Sequence, residues 1–172
     1  ISKAKAESEL KLKCEELEVE LVILRPPLIY GEGVRGNFSK LVKLSKLSLP
    51  LPFALVNNKR SMIYVYNLVE IIGLCVSNTK AVGKTFLVSD DLDLSLKQLI
   101  SEIRTSLKLK PKFFPLPKFA FRMLGLITGK SEIIDRLICD MRIDSNLVRK
   151  ELGWKQKYSV KDAIAKSVMH KE

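Results

Sequence analysis

The stretch Leu24-Arg25-Pro26-Pro27-Leu28-Ile29-Tyr30-Gly31-Glu32-Gly33-Val34-Arg35-Gly36 constrains this chain more than any other. It holds a G-x-G-x-x-G behind an apolar run. Between a strand and a helix, that spacing closes a tight turn and aims the helix N-terminus at a pyrophosphate. Two demands of context fail. The strand from Leu21 to Leu24 meets Pro26-Pro27, and proline donates no ladder hydrogen bond, so pairing is expected to stop before Gly31. The fingerprint also needs an acid about 20 residues on, for the ribose hydroxyls. No Asp or Glu occurs from Asn37 to Lys59, and the next is Glu70. The motif therefore reads as a glycine-rich loop after a strand, not as a dinucleotide turn.

The 172 residues are 47% hydrophobic, enough for one domain with a core. No apolar run reaches the roughly 18 residues of a membrane span, and the charged, helix-like start carries no signal-peptide pattern. Cys14, Cys75 and Cys139 lie far apart in apolar helical patterns, which fits buried free thiols in a reducing compartment. His170 is the single histidine, which excludes a His-based triad and most metal sites; no metal is expected. The net charge of +11 suits an anionic partner. Yet the lysines are scattered (Lys40, Lys43, Lys46; Lys108, Lys110, Lys112), without the basic–aromatic face of a single-strand binder. A solvated basic surface is the plain reading, and a non-catalytic nucleic-acid- or membrane-binding module is a rival one.

Residues 3 to 20 read as a helix with Leu10, Cys14, Leu17 and Leu21 on one face. A strand follows at 21–24. Asn37 is placed to cap a helix carrying Phe38, Leu41, Val42 and Ser45, ended by Pro50 and Pro52. Lys59 to Val65 reads as extended. Asn67-x-x-Glu70 resembles a capping box before the stripe Leu68, Val69, Ile72, Cys75 and Val76. A strand at Thr85 to Ser89 precedes a second capping box, Ser95-x-x-Gln98, whose helix turns Leu96, Leu99, Ile100, Ile103 and Leu107 inward. Pro111, Pro115 and Pro117 make an extended stretch. Phe119 to Ile127, stopped by Gly129, suits a core or subunit-packing helix; a helix lying on a membrane or partner is the alternative. Ser131 to Ile138, Asp144 to Leu152 with Gly153 as stop, and a helix opened by Ser159-x-x-Asp162 complete the chain. The class is α/β, with few short strands among many helices. Three or so strands are a poor sheet for so many helices, which suggests a piece of a larger fold.

The order of motifs is more specific than any one of them. Ile1-Ser2-Lys3-Ala4-Lys5-Ala6-Glu7 resembles the end of Tyr-x-x-x-Lys and its helix, and Arg25-Pro26-Pro27-Leu28-Ile29-Tyr30-Gly31 the strand that follows. Lys59-Arg60-Ser61-Met62-Ile63-Tyr64-Val65-Tyr66-Asn67-Leu68, Gly83 to Asp90 and Arg149-Lys150-Glu151-Leu152-Gly153-Trp154 continue in the same order. Together they resemble the carboxyl-terminal half of the extended short-chain dehydrogenase/reductase (SDR) family, the NAD-dependent epimerases and dehydratases of nucleotide sugars. The resemblance implies the end of a Rossmann domain over about 1–30 and a substrate-binding region over about 31–172, with the amino-terminal cofactor-binding half absent. It implies a cytoplasmic homodimer using NAD rather than NADP on a UDP-linked sugar. The expected activity is a 4-epimerase, with a 4-keto-sugar reductase or dehydratase as alternative. In such a family the glycine loop borders substrate, and the true phosphate turn lies upstream.

The resemblance also assigns residues. Lys3 matches the family lysine, which lowers the pKa of a tyrosine one helical turn before it and reaches the nicotinamide ribose. That tyrosine falls two positions before Ile1, so catalysis by this polypeptide alone is not expected. Pro27 and Leu28 border the nicotinamide through backbone. Asn37 and Arg60 contact the diphosphate, where a guanidinium fork suits phosphate oxygens. Arg136 lies near the place of a second diphosphate arginine. Without the resemblance, Lys3 and Arg60 are surface cations and Asn37 a plain helix cap.

Overall fold

The computed structural model describes residues 2–169, so His170 lies outside the described residues. It is a mixed α/β structure, with eight helices and four short strands among those residues. Helix α1 (Ser2–Glu16) leads to β1 (Ile23–Arg25) and β2 (Leu28–Tyr30). The prolines decide what happens next. Neither Pro26 nor Pro27 can donate to a ladder, and the chain changes partner there. β1 pairs in parallel with β4 (Thr85–Leu87), while β2 pairs in parallel with β3 (Met62–Tyr64). The expected interruption of pairing at the prolines is present, but it is brief: the prolines sit between two strands, and pairing resumes in β2 through Tyr30, in register with Tyr64.

The loop Gly31–Gly36 then delivers the chain to α2 (Asn37–Ser45). Gly31 has φ +148°, and a Cβ there would stand 2.4 Å from Val65 Cγ1. This glycine is needed because β2 and the start of α3 approach closely. Parallel pairing requires crossovers, and these are α2 with its following loops and α3 (Val65–Ser77). A 3-10 turn, Thr79–Ala81, returns the chain to β4. α4 (Leu96–Ser106) follows, then α5 (Lys118–Thr128), α6 (Ser131–Ile138), α7 (Asn146–Leu152) and α8 (Val160–Met169).

β3 is covered on both faces, as its apolar sequence requires. Met62 and Tyr64 join a core with Tyr30, Phe38, Leu99, Ile103 and Ile164. Ile63, pointing the other way by the two-residue strand period, joins Ile71, Phe86, Val88, Val148 and Trp154. A third cluster packs Leu51, Phe53 and Val56 against Ile100, Phe121 and Ile138. Each such buried side chain contributes about 1.5–3 kcal/mol.

Local signals fare unevenly. The Ser95/Gln98 capping box forms in full, and Ser159 Oγ accepts from Asp162 N at 3.2 Å. Gly129 and Gly153 end their helices in the left-handed conformation. The Asn67 box does not form. The strand is shorter than expected, α3 begins already at Val65, and Asn67 lies buried inside it. The inward face of α3 is accordingly Asn67 and Ile71, whereas Val69, Ile72 and Val76 are exposed. Asn37 is the first helical residue of α2; Gly36 is the N-cap, without a side-chain bond. The buried-thiol expectation also fails: Cys14 and Cys75 are half-buried and Cys139 is exposed. Cys139 follows the last residue of α6, so helical spacing no longer governs it. α5 is not a core helix all round. Phe121 and Gly125 are buried, but Phe119, Leu126 and Ile127 are 70–76% exposed. No helix is long and apolar enough to cross a membrane among the described residues.

Candidate functional site

Arg60 occupies the middle of a three-segment ribbon. Its N–H and carbonyl exchange bonds with Leu94 at 3.1 Å each, while Ser61 N reaches Met141 O at 2.8 Å and Met141 N reaches Lys59 O at 2.9 Å. Leu94 and Met141 are the bridge partners of Arg60, so they flank it on the two sides. Buried Ser61 locks the ribbon. Its Oγ donates to Asp93 Oδ1 at 2.7 Å and accepts from Ile143 N at 2.8 Å. The Arg60 side chain is half-buried. Burial lowers its hold on the proton, and the nearby Cys139 sulfur opposes that effect; a guanidinium nevertheless stays charged. Among the described residues it has no carboxylate within 4.0 Å and no side-chain hydrogen bond. A half-desolvated cation of this kind is suited to an anionic oxygen from outside the chain.

Asn58 ties the ribbon to α6. Its Nδ2 donates to Leu137 O at 3.0 Å and Cys139 O at 3.1 Å, and its Oδ1 accepts from Leu96 N at 3.0 Å. Arg136 lies in the last turn of α6, exposed, with Nη2 3.4 Å from Glu132 Oε2. An exposed i,i+4 pair of this kind is worth about 0.3–0.5 kcal/mol and leaves the guanidinium available. Pro27 and Leu28 are half-buried where the chain passes from β1 to β2. Because Leu28 is in register with Met62, Arg60 stands two residues before the partner of Leu28, at the same end of the β2–β3 pair. Asn37 follows the glycine loop that leaves the opposite end, exposed in the first turn of α2. Lys3 is exposed on α1. One turn along the same face, Glu7 pairs with Arg25, next to the prolines. That guanidinium holds the Glu7 carboxyl below the usual carboxylate range.

Two buried polar centres escaped the sequence reading. Asp90 accepts from Tyr30 Oη at 2.8 Å, Tyr64 N at 3.1 Å and Asn67 Nδ2 at 2.8 Å. Burial raises the Asp90 carboxyl above its ordinary range, against the pull of these donors. Burial and the adjacent Asp90 push the Tyr30 phenol up. The Tyr64 phenol, beside Glu32, is pushed up to about 12, chiefly by burial. Arg104 is 2% exposed and donates to the carbonyls of Ser45, Leu47, Leu49 and Lys112 at 2.8–3.1 Å. It thereby caps the end of α2. Its one sequence signal is position: Arg104 falls on the inward stripe of α4 between Ile100 and Leu107.

No protein-family model matches the sequence. UDP-glucose 4-epimerase of Vibrio cholerae is 34% identical over 165 residues, 95% of this chain and 50% of that protein. Among solved structures, UDP-glucose 4-epimerase of Thermotoga maritima with UDP-glucose superposes with a TM-score of 0.69 at 17% identity, over 96% of this chain and 50% of that one. UDP-glucuronic acid 4-epimerase of Bacillus cereus in complex with NAD gives 0.69 at 15% identity, over 94% and 48%. The chain belongs to the family of these epimerases, the extended short-chain dehydrogenase/reductases, and spans about half the length of the relatives it matches.

Proposed function

We propose that the chain is the substrate-binding half of an NAD-dependent nucleotide-sugar 4-epimerase acting on a UDP-linked hexose or N-acetylhexosamine. Residues of about 1–30 complete the cofactor-binding domain and about 31–172 shape the sugar-nucleotide region. The observation that carries this reading is the unpaired, half-buried Arg60 in a locked ribbon, within a chain of epimerase sequence and fold. Arg60 binds the diphosphate, with Arg136 and Asn37 as further contacts. Asn37 contributes at a helix N-terminus, where the amides attract an anion.

The residues present fit one end of NAD. Lys3 carries an exposed ammonium without an ion pair among the described residues, suited to the ribose hydroxyls, and the backbone of Pro27 and Leu28, where the chain passes from β1 to β2, borders the nicotinamide in this reading. The glycine loop among the described residues does not serve the pyrophosphate end, since Gly31 packs against Val65. NAD supplies the hydride acceptor and donor at the sugar C4. Lys3 lowers the pKa of the family tyrosine that takes the O4 proton, a residue four positions before it. The diphosphate contacts anchor the nucleotide while the 4-keto sugar turns over to present its other face.

Calorimetry with UDP tests the anchor. A charge-assisted contact of about 1.5–3 kcal/mol implies that Arg60→Ala weakens binding by about ten- to a hundredfold; unchanged affinity removes Arg60 from the site. For Lys3, the measurement is the pH–rate profile of the enzyme containing it. Lys3→Met should move the acidic limb, where activity rises as the tyrosine loses its proton, to higher pH, because the cation that favours the phenolate is gone. A profile that stays in place makes Lys3 a surface residue.

A further inference from the structure

We infer that Asn58 is a positioning residue for the anion site, setting the wall of α6 against Arg60; this rests on the reading of Arg60 as the diphosphate anchor. Asn58 is 2% exposed, and its side chain does three things at once. Both amide hydrogens are spent on Leu137 O, in the last turn of α6, and Cys139 O, just past its end, and the amide oxygen holds Leu96 N at the first turn of α4. An asparagine matches this set because it offers two donors and an acceptor on one short planar group. A carboxylate would meet two carbonyl oxygens, and a leucine would leave three backbone groups unpaired.

The geometry assigns the clamp a functional consequence. Asn58 and Arg60 belong to one extended segment, and Cys139, the residue after α6 whose carbonyl Asn58 grips, is the neighbour felt by the guanidinium. The backbone of Lys59 and Ser61 and the Ser61 hydroxyl hold Asp140 to Ile143 alongside the ribbon, but among the described residues no other group of that segment bonds the carbonyls of Leu137 and Cys139. Releasing them loosens the end of α6 beside Arg60 while the ribbon itself stays paired. The half-buried guanidinium then gains water, so each phosphate contact weakens.

The test is a double-mutant cycle on UDP affinity, read by calorimetry on folded protein. Asn58→Ala should weaken UDP binding roughly tenfold where Arg60 is present, and should add nothing in the Arg60→Ala background. In turnover by the enzyme containing this chain it should raise KM with kcat held. Where Asn58→Ala does not fold, Asn58→Ser, which keeps one donor, replaces it in the same cycle with a smaller effect of the same pattern. Equal losses in both backgrounds, or wild-type affinity in Asn58→Ala or Asn58→Ser, overturn the inference. If Arg60→Ala itself leaves UDP affinity unchanged, the anchor reading falls first.

Discussion

Asp90 draws donors from β2, β3 and α3 onto one carboxylate, and Asn67 extends the network to Tyr158 through bonds of 3.3 Å. Removing the acceptor strands three buried donors, each costing about 1–3 kcal/mol. Asp90→Ala should therefore cost at least about 3 kcal/mol in urea denaturation. A loss below about 1 kcal/mol would mean that water replaces the carboxylate. The pH dependence has a definite sign. The folded-state pKa of Asp90 is raised, so between the ordinary carboxyl range and that raised value the native state binds more protons than the unfolded one. Stability from this group is present at low pH and falls as pH rises through the window. The stability difference between wild type and Asp90→Asn should shift against wild type over that interval. A flat difference would show that the group titrates normally. The sequence marks Asp90 only as the end of the Gly83 to Asp90 motif, because three partners distant in sequence create its role.

At the scale of elements, the glycine loop and the caps make the sharpest expectations. Gly31→Ala adds a methyl 2.4 Å from Val65 Cγ1 at φ +148°. Overpacking of this kind costs about 1–3 kcal/mol, and Val65→Ala in the same protein should recover the packing part, leaving the backbone strain. If the double variant is no more stable than Gly31→Ala, the contact is not the cause. Ser95→Ala removes a reciprocal cap and should cost about 1 kcal/mol. Sequence reading found this box, the glycine stops and the short helix Ser131–Ile138, because each depends on neighbours within four residues. It misplaced the Asn67 box because Val65 is already helical, a choice made by the pairing of β3 with β2. Arg60 was legible by motif alone; Asn58 was not, since its partners Leu137 and Cys139 lie about eighty positions away.

For the whole molecule, the exposed apolar surface is the dominant feature. Leu10 and Leu12 on α1 with Leu17 just after it, Val69, Ile72 and Val76 on α3, and Phe119, Leu126 and Ile127 on α5 are each at least 45% exposed. Apolar side chains gathered on one helix face are a surface suited to packing against another chain or domain. The 172-residue chain by itself should self-associate in sedimentation and show no micromolar binding in an NAD titration; a well-behaved monomer that binds NAD tightly overturns both expectations. The sequence by itself determined the α/β class, most helix positions, the family and the order of its motifs. These are recorded in short-range periodicity, capping and glycine placement. Only the tertiary structure decided that the prolines divide one line of chain between two sheets, that Asp90 and Arg104 are buried hubs, and that Asn58 joins α6 to the segment of Arg60. The physical reason is that a buried polar group is defined by partners brought from afar, whose identity no local pattern encodes.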